Sequence, residues 1–387
     1  MGVSGDLRCD LFARIDAIAP VLAADVERGD ELRRLPDTTV AALRSARLLH
    51  LKVPTALGGD EAEPDLQFDV FERVAFASAA AAWCLFIYAD SVGAACARLP
   101  DAGVERLLAD GDVPVMCGGG GLRPGKLTAV AGGYRLNGRF RYGSGIHAAS
   151  WALLNGLVAD ADGGPPEVRV VVAPTSALDV DDNWHMLGMR ATGSHDYAAH
   201  DVFIPEEMTF PARIPPRRGG RMFGTGIVGY LGYPVPAVAL AIARRVLDEV
   251  VALASTSTRG YTRPQLLATR TTFQSFLGEA DQRLRAARAL MIADGRALME
   301  HVDHGGENLR AVEASTRAAG SFAVRTATDV VAGAVRFAGG GALRQGTVIE
   351  RATRDLTVVA SHMLVNESAY ENHAQFLLGI PGADPMA

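Results

Sequence analysis

Gly132-Gly-Tyr-Arg-Leu-Asn-Gly-Arg-Phe-Arg-Tyr-Gly-Ser-Gly145 sets apolar side chains at Tyr134, Leu136, Phe140 and Tyr142, with polar residues between them. A period of two is the mark of a strand with one buried face. The alternation returns in Trp151-Ala-Leu-Leu-Asn-Gly-Leu-Val158 and in Val168-Arg-Val-Val-Val-Ala173, with turn residues Gly163-Gly-Pro-Pro166 between them. Outward from Val113 and Glu207 the period changes, and Ala/Leu/Arg-rich segments with 3.6-residue spacing take over on both sides. The pattern predicts an α+β chain: an N-terminal α-helical domain over 1–112, a middle β-domain over 113–212 and a C-terminal helical bundle over 213–387.

At 387 residues the chain is longer than a single core usually grows, so two or three substructures are expected. A hydrophobic share of 49% against 21% charged residues describes a folded globular chain with ample apolar surface for a large core. The net charge of -6 argues against a nucleic-acid partner, and the basic run Pro215-Pro-Arg-Arg-Gly-Gly-Arg221 reads as a solvated loop. Cys9, Cys84, Cys96 and Cys117 form no CxxC pair and no zinc-spaced cluster, so no metal is expected. They read as free thiols of a cytoplasmic protein. The apolar stretch Ala75 to Ala97 is interrupted by Ser78, Asp90 and Ser91, which favours a buried helix over a membrane span.

Helical spacing covers Asp6 to Val26, Pro36 to Ala46, Leu66 to Ala82, Trp83 to Arg98 and Asp101 to Ala109. The final block predicts four helices of twenty or more residues: Val235 to Ser255, Leu266 to Met299, Leu309 to Val335 and Leu343 to Asn366. Such helices bury their apolar stripes together as a bundle.

Three clusters in the middle domain invite a chemical reading. Cys117-Gly-Gly-Gly-Gly121 lets a ligand approach the backbone closely, or is a flexible turn. Tyr142-Gly-Ser-Gly-Ile-His147 sets Ser144 between two glycines, either satisfying its own backbone or presenting a hydroxyl to a ligand. Trp184-His-Met-Leu-Gly-Met-Arg-Ala-Thr-Gly-Ser-His-Asp-Tyr197 places donors on a loop before a strand.

"GGYRLNGRFRYGSGIHAASW" (132–151) and "WHMLGMRATGSHDYAAHDVFIPEE" (184–207) resemble the middle domain of the acyl-CoA dehydrogenase superfamily. The likeness is to its branch of two-component flavin-dependent monooxygenases, typified by 4-hydroxyphenylacetate hydroxylase oxygenase components and dibenzothiophene monooxygenase. "VPTALGG" (53–59) and "AAAWCLFIYADSVGAACARLP" (80–100) extend it into the first block, "RTTFQSFLGEADQRLRAAR" (270–288) and "GGGALRQGTVIERATRDL" (339–356) into a C-terminal four-helix bundle.

The resemblance implies an oxygenase component that takes reduced FMN or FAD from an NAD(P)H:flavin reductase. With O2 it oxygenates a small aromatic or amine substrate through a C4a-hydroperoxyflavin. It implies a homotetramer. Ser144 matches the hydroxyl that protects the flavin N5 proton, and His362 matches a catalytic histidine. Cys117, Gly118, Trp184, Thr192, Ser194, Arg263, Gly339 and Gly340 fall at expected cofactor positions, and Trp83, Asp90, Ser91, His362 and Asn366 at substrate positions.

A dehydrogenase of the superfamily carries a glutamate base eight or nine residues past its Arg-Asp pair. Here the pair is Arg354-Asp355, and His362 and Met363 stand at that distance. Glu371 is the carboxylate that an FAD-dependent acyl-CoA dehydrogenase, the alternative, would need to use. A silent scaffold that uses the fold only to oligomerise is the reading outside enzymology. The branch often has a second histidine where this chain reads Ile87-Tyr-Ala-Asp-Ser91, and an acidic residue there would suit an amine.

Overall fold

The computed structural model describes residues 2–118, 123–159, 164–260, 262–305 and 308–387. Gly119 to Gly121 of the glycine cluster, Gly163 of the turn, and Gly306 therefore lie outside the described residues.

Six helices come first: α1 (Gly2–Ala24), α2 (Val26–Leu32), α3 (Asp37–Ser45), α4 (Pro64–Ala77), α5 (Ala79–Arg98) and α6 (Asp101–Leu107). The described strands that follow are β1 (Met116–Gly118), β2 (Gly125–Val130), β3 (Gly133–Gly143), β4 (Trp151–Val158), β5 (Glu167–Pro174), β6 (Asp179–Val180), β7 (His195–Pro205) and β8 (Thr209–Pro211). The last block holds α7 (Gly226–Leu231), α8 (Pro234–Ala254), a hairpin of β9 (Thr258–Arg259) and β10 (Gln265–Leu266), α9 (Thr271–Asp303), α10 (Leu309–Ala338), α11 (Val348–Val359) and α12 (Ser368–Leu377). These elements form two compact units. One comprises Met1–Ala62, Trp83–His185 and Arg190–Phe223, the other Glu63–Ala82, Met186–Met189 and Gly224–Ala387.

In the first unit the sheet runs β6-β7-β3-β2-β4-β5-β8, with β1 parallel on β4. Leu136 and Phe140 of β3 are buried as the alternation requires, and Phe140 stacks on Tyr197 of β7 at 5.5 Å. Tyr142 breaks the pattern. A register shift between Phe140 and Gly143 turns its ring outward, leaving it 51% exposed, because an extra residue in one strand reverses the faces beyond it. Helix α5 is buried throughout its middle, as the interrupted apolar run predicts, and Arg218 donates to the Cys96 and Leu99 carbonyls at its end. The basic run is thus partly spent on a helix terminus.

In the second unit α8, α9 and α10 have 21, 33 and 30 residues and pack on one another through stripes such as Val235, Val238, Ile242, Val246 and Val250. The expected fourth long helix, Leu343 to Asn366, is not continuous. Gly346 takes a left-handed φ of 89°, Thr347 accepts the Glu350 N–H, and α11 starts only at Val348 and ends at Val359. Helix α4, from the first block of the sequence, packs on α8 and α9 and supplies the remaining layer. Among the described residues, two stretches are long and apolar enough to cross a membrane, Ala79–Arg98 and Gly226–Ala254, and both are mostly buried inside the protein.

Candidate functional site

Strand pairing explains how residues fifty apart in sequence meet. Gly143 pairs with His195, so the turn after β3 lies opposite the turn before β7, and Gly145 N–H donates to the Thr192 carbonyl at 2.7 Å. Gly145 has φ 71°, and a Cβ there would sit 2.0 Å from the Tyr88 hydroxyl, so only glycine fits. Ser144 Oγ is consequently 2.7 Å from Ser194 Oγ, which is 2.7 Å from Thr192 Oγ1, while Trp83 Nε1–H donates to Ser144 Oγ at 3.3 Å. All three hydroxyl residues are buried. Either oxygen of each pair can donate; a chain running Ser144 to Ser194 to Thr192 leaves Ser144 Oγ one lone pair beside the Trp83 bond, and each link polarises the next.

Trp184 lies 5.8 Å edge-on from Tyr142, and its backbone N–H meets His195 Nδ1 at 3.2 Å. Cys117 is buried and its thiol is pushed up to about 12 by burial, which makes it a packing residue rather than a nucleophile. A Cβ on Gly118 would meet Ser91 Oγ at 2.6 Å, so Gly118 and Ser91 are neighbours.

Asp90 is not available as the acidic partner of an amine. Its Oδ1 takes a 2.6 Å hydrogen bond from Lys52 Nζ, and both side chains are almost wholly buried. Burial pushes the Asp90 carboxyl up, to about 6, against the pull of Lys52, and pushes the Lys52 amine down. The pair cancels its own charge, so no net negative field remains for a cationic substrate. Sequence reasoning passed over Lys52. A lone lysine between buried Leu51 and Val53 was the signal.

In the second unit, His362 follows α11 in extended backbone and caps the turn Met363–Val365, its Nδ1 accepting the Leu364 N–H at 3.4 Å. That bond leaves the imidazole proton on Nε2. Burial holds the imidazole down, at about 4. Asn366 turns to the protein itself, accepting from Arg317 at 3.1 Å and Ser368 at 2.7 Å. Arg354 and Asp355 hold the loop before β7: Arg354 donates to the Leu187 carbonyl at 2.8 Å and Asp355 accepts the Met189 N–H at 2.5 Å. Glu371 is exposed on α12.

Arg263 is exposed in the β9–β10 connection. Arg259, four residues before it, donates to the Phe337 and Ala338 carbonyls and lies 3.1 Å from a Cβ built on Gly339. Cβ atoms on Gly340 and Gly341 would meet nothing within 4 Å, so that loop is open to a ligand.

Within the first unit, the uncharged hydroxyl chain at Ser144 matches the hydrogen-bonding edge of an isoalloxazine ring. Taken by itself, the glycine loop of the second unit beside the Arg259 guanidinium suits a phosphate.

The model of the acyl-CoA dehydrogenase C-terminal domain matches residues 235–367. Indole-3-acetate monooxygenase of Pseudomonas putida is 27% identical, over 91% of this chain and 90% of its own. The oxygenase component of p-hydroxyphenylacetate 3-hydroxylase from Acinetobacter baumannii is 26% identical, over 95% and 87%. The structure of XiaF from Streptomyces sp., in complex with FADH2 and glycerol, superposes with a TM-score of 0.91 at 25% identity, over 99% of this chain and 98% of that one. The chain thus matches the acyl-CoA dehydrogenase C-terminal domain over 235–367, and over nearly its whole length it is similar to oxygenase components of flavin-dependent monooxygenases. This chain places a histidine, not a carboxylate, after the Arg354-Asp355 pair.

Proposed function

We propose that this protein is the oxygenase component of a two-component flavin-dependent monooxygenase acting on a small aromatic substrate. Residue 362 carries the reading: a neutral imidazole stands where a dehydrogenase needs a carboxylate base, and Glu371 is exposed elsewhere. The bound reduced flavin, FMN or FAD, supplies the electrons that activate O2. Ser144 Oγ, donating to Ser194 and accepting from Trp83, would have one lone pair left to accept the flavin N5–H and so hold that proton in place. His362 would donate a hydrogen bond from Nε2–H to the substrate's reacting oxygen and orient it. In the first unit Thr192, Ser194 and Trp184 would line a flavin ring; in the second, Arg263, Arg259, Gly339 and Gly340 would each suit contact with phosphate.

An aromatic substrate is favoured over an amine because Lys52 neutralises Asp90. The relatives named for indole-3-acetate and p-hydroxyphenylacetate point the same way. A separate NAD(P)H:flavin reductase delivers the flavin, in the cytoplasm. The exposed apolar side chains Val251, Leu290 and Phe322 on α8, α9 and α10 suit a homotetramer, and a light-scattering mass of one 40.8 kDa chain would remove that part. The activity is tested with 18O2, a reductase and a panel of phenols and indoles. One labelled oxygen per product is expected. Anaerobic reduction of the bound flavin by an acyl-CoA, with no reductase present, would contradict the reading.

The state of His362 is separately measurable. With its pKa lowered from 6.5 to about 4, the folded protein binds this proton less readily than the unfolded chain does. Stability from this group is therefore full above pH 6.5 and falls as the pH drops toward 4. An NMR titration of labelled histidine, assigned by loss of the signal in His362→Asn, is expected to show a midpoint near 4; a midpoint near 6.5 would mean a solvated ring.

A further inference from the structure

Arg317, on the buried stripe of α10, is 5% exposed, and every acceptor its guanidinium meets is a neutral oxygen. Nε donates to the Leu364 carbonyl at 3.4 Å, and Nη2 to the Met363 carbonyl at 3.3 Å, Asn366 Oδ1 at 3.1 Å and Ser368 Oγ at 3.0 Å. Nη1 reaches a different segment, the Pro385 carbonyl, at 2.9 Å. Burying a cation without a carboxylate is costly unless its donors are saturated, and here two separate stretches of chain saturate it together. The second stretch is itself fastened: Arg310 donates to the Ala383 carbonyl at 3.2 Å and to Asp384 at 2.8 Å, and Asn372 to the Ala387 carbonyl at 2.9 Å. Ser321 adds a bond to the Asn366 carbonyl at 3.1 Å.

The first stretch begins one residue after His362. A planar guanidinium fixes the direction of each acceptor, which an ammonium does not, so the turn that carries the imidazole inherits the orientation of Arg317. Pro385 holds the edge of the guanidinium that faces away from this turn. We propose that Arg317 is a positioning residue for His362, and that the segment Ala383–Ala387 is the clamp that keeps Arg317 aligned. This rests on the role given to His362 above.

The test compares the whole protein with two variants, Arg317→Lys and a chain lacking residues 383–387, the second leaving the arginine intact. Hydrogen exchange of the backbone amides of 361–369, read by mass spectrometry, should quicken by about tenfold or more in both, the share of one charge-assisted hydrogen bond. The near-ultraviolet phase seen on mixing reduced flavin with O2 should keep its rate, while product per flavin oxidised falls by about tenfold and hydrogen peroxide makes up the balance. General loosening would slow both together, and that result overturns the proposal. So does unchanged exchange, and so does faster exchange with full product yield. If the unaltered protein gives no near-ultraviolet phase and no product, the monooxygenase reading fails, while the exchange comparison still decides whether Ala383–Ala387 clamps the turn.

Discussion

Changing His362 to Asn should lower product formation by roughly two to three powers of ten, the usual cost of losing one donor at the reacting oxygen, and divert the turnover to hydrogen peroxide. Asparagine is close in shape, and its carbonyl can accept the Leu364 N–H that Nδ1 now takes, so the turn over Met363–Val365 should persist. What is lost is the proton at Nε2. Flavin affinity should not move, because the hydroxyl chain at Ser144 is untouched. Glu371→Gln is the companion variant: exposed on α12, it should be silent in the same assay. A silent His362→Asn beside an inactive Glu371→Gln would return the chain to dehydrogenase chemistry with a displaced base.

The second large effect concerns stability. Lys52→Met leaves the Asp90 carboxylate buried without its partner, and removing one half of a buried pair costs about 3–5 kcal/mol. For a unit of this size that lowers the melting temperature by roughly 10 °C. The pH dependence has a definite sign. Burial already raises the Asp90 pKa to about 6 with Lys52 present, and raises it further without, so a neutral acid becomes the cheaper form to bury. The deficit of Lys52→Met should therefore shrink as the pH falls through that region. Lys52→Met with Asp90→Leu should recover most of the loss, since apolar residues can replace a buried pair at little cost. Calorimetry of the three proteins between pH 5 and 8 reads all of this; a single variant as stable as the parent would show that the pair is not buried in solution.

Much of the frame was legible from periodicity. The β-domain showed because strands with one buried face alternate, whereas Ser144, Thr192 and Ser194 were reached as a group only through the resemblance, since the pairing of β3 with β7 that brings their turns together leaves no local mark. The bulge that turns Tyr142 outward was not legible either, since alternation carries no mark of an inserted residue. The fourth bundle helix failed for a similar reason: Leu343 to Asn366 has the apolar spacing, but Gly346 and the Thr347 cap set the start at Val348. Most hidden were the charges that act in pairs or clamps. Lys52 and Asp90 are thirty-eight positions apart, and Arg317 reaches residues forty-six to sixty-eight away, so neither has a local pattern. Their trace is indirect: Lys52 interrupts an apolar run, Asp90 sits in the most apolar helix of the first block, and Arg317 lies on the stripe of Ala314, Ser321 and Val324. A charge in such a place has to find a partner.

The most direct measurement mixes the protein with reduced FMN or FAD and then with O2, anaerobic until the second mix, and follows absorbance in a stopped-flow instrument. The account expects a transient near-ultraviolet phase that precedes the oxidised-flavin band and that shortens when Ser144 is changed to Ala. Oxidised flavin appearing at once, with peroxide released at the rate of free flavin, would contradict it.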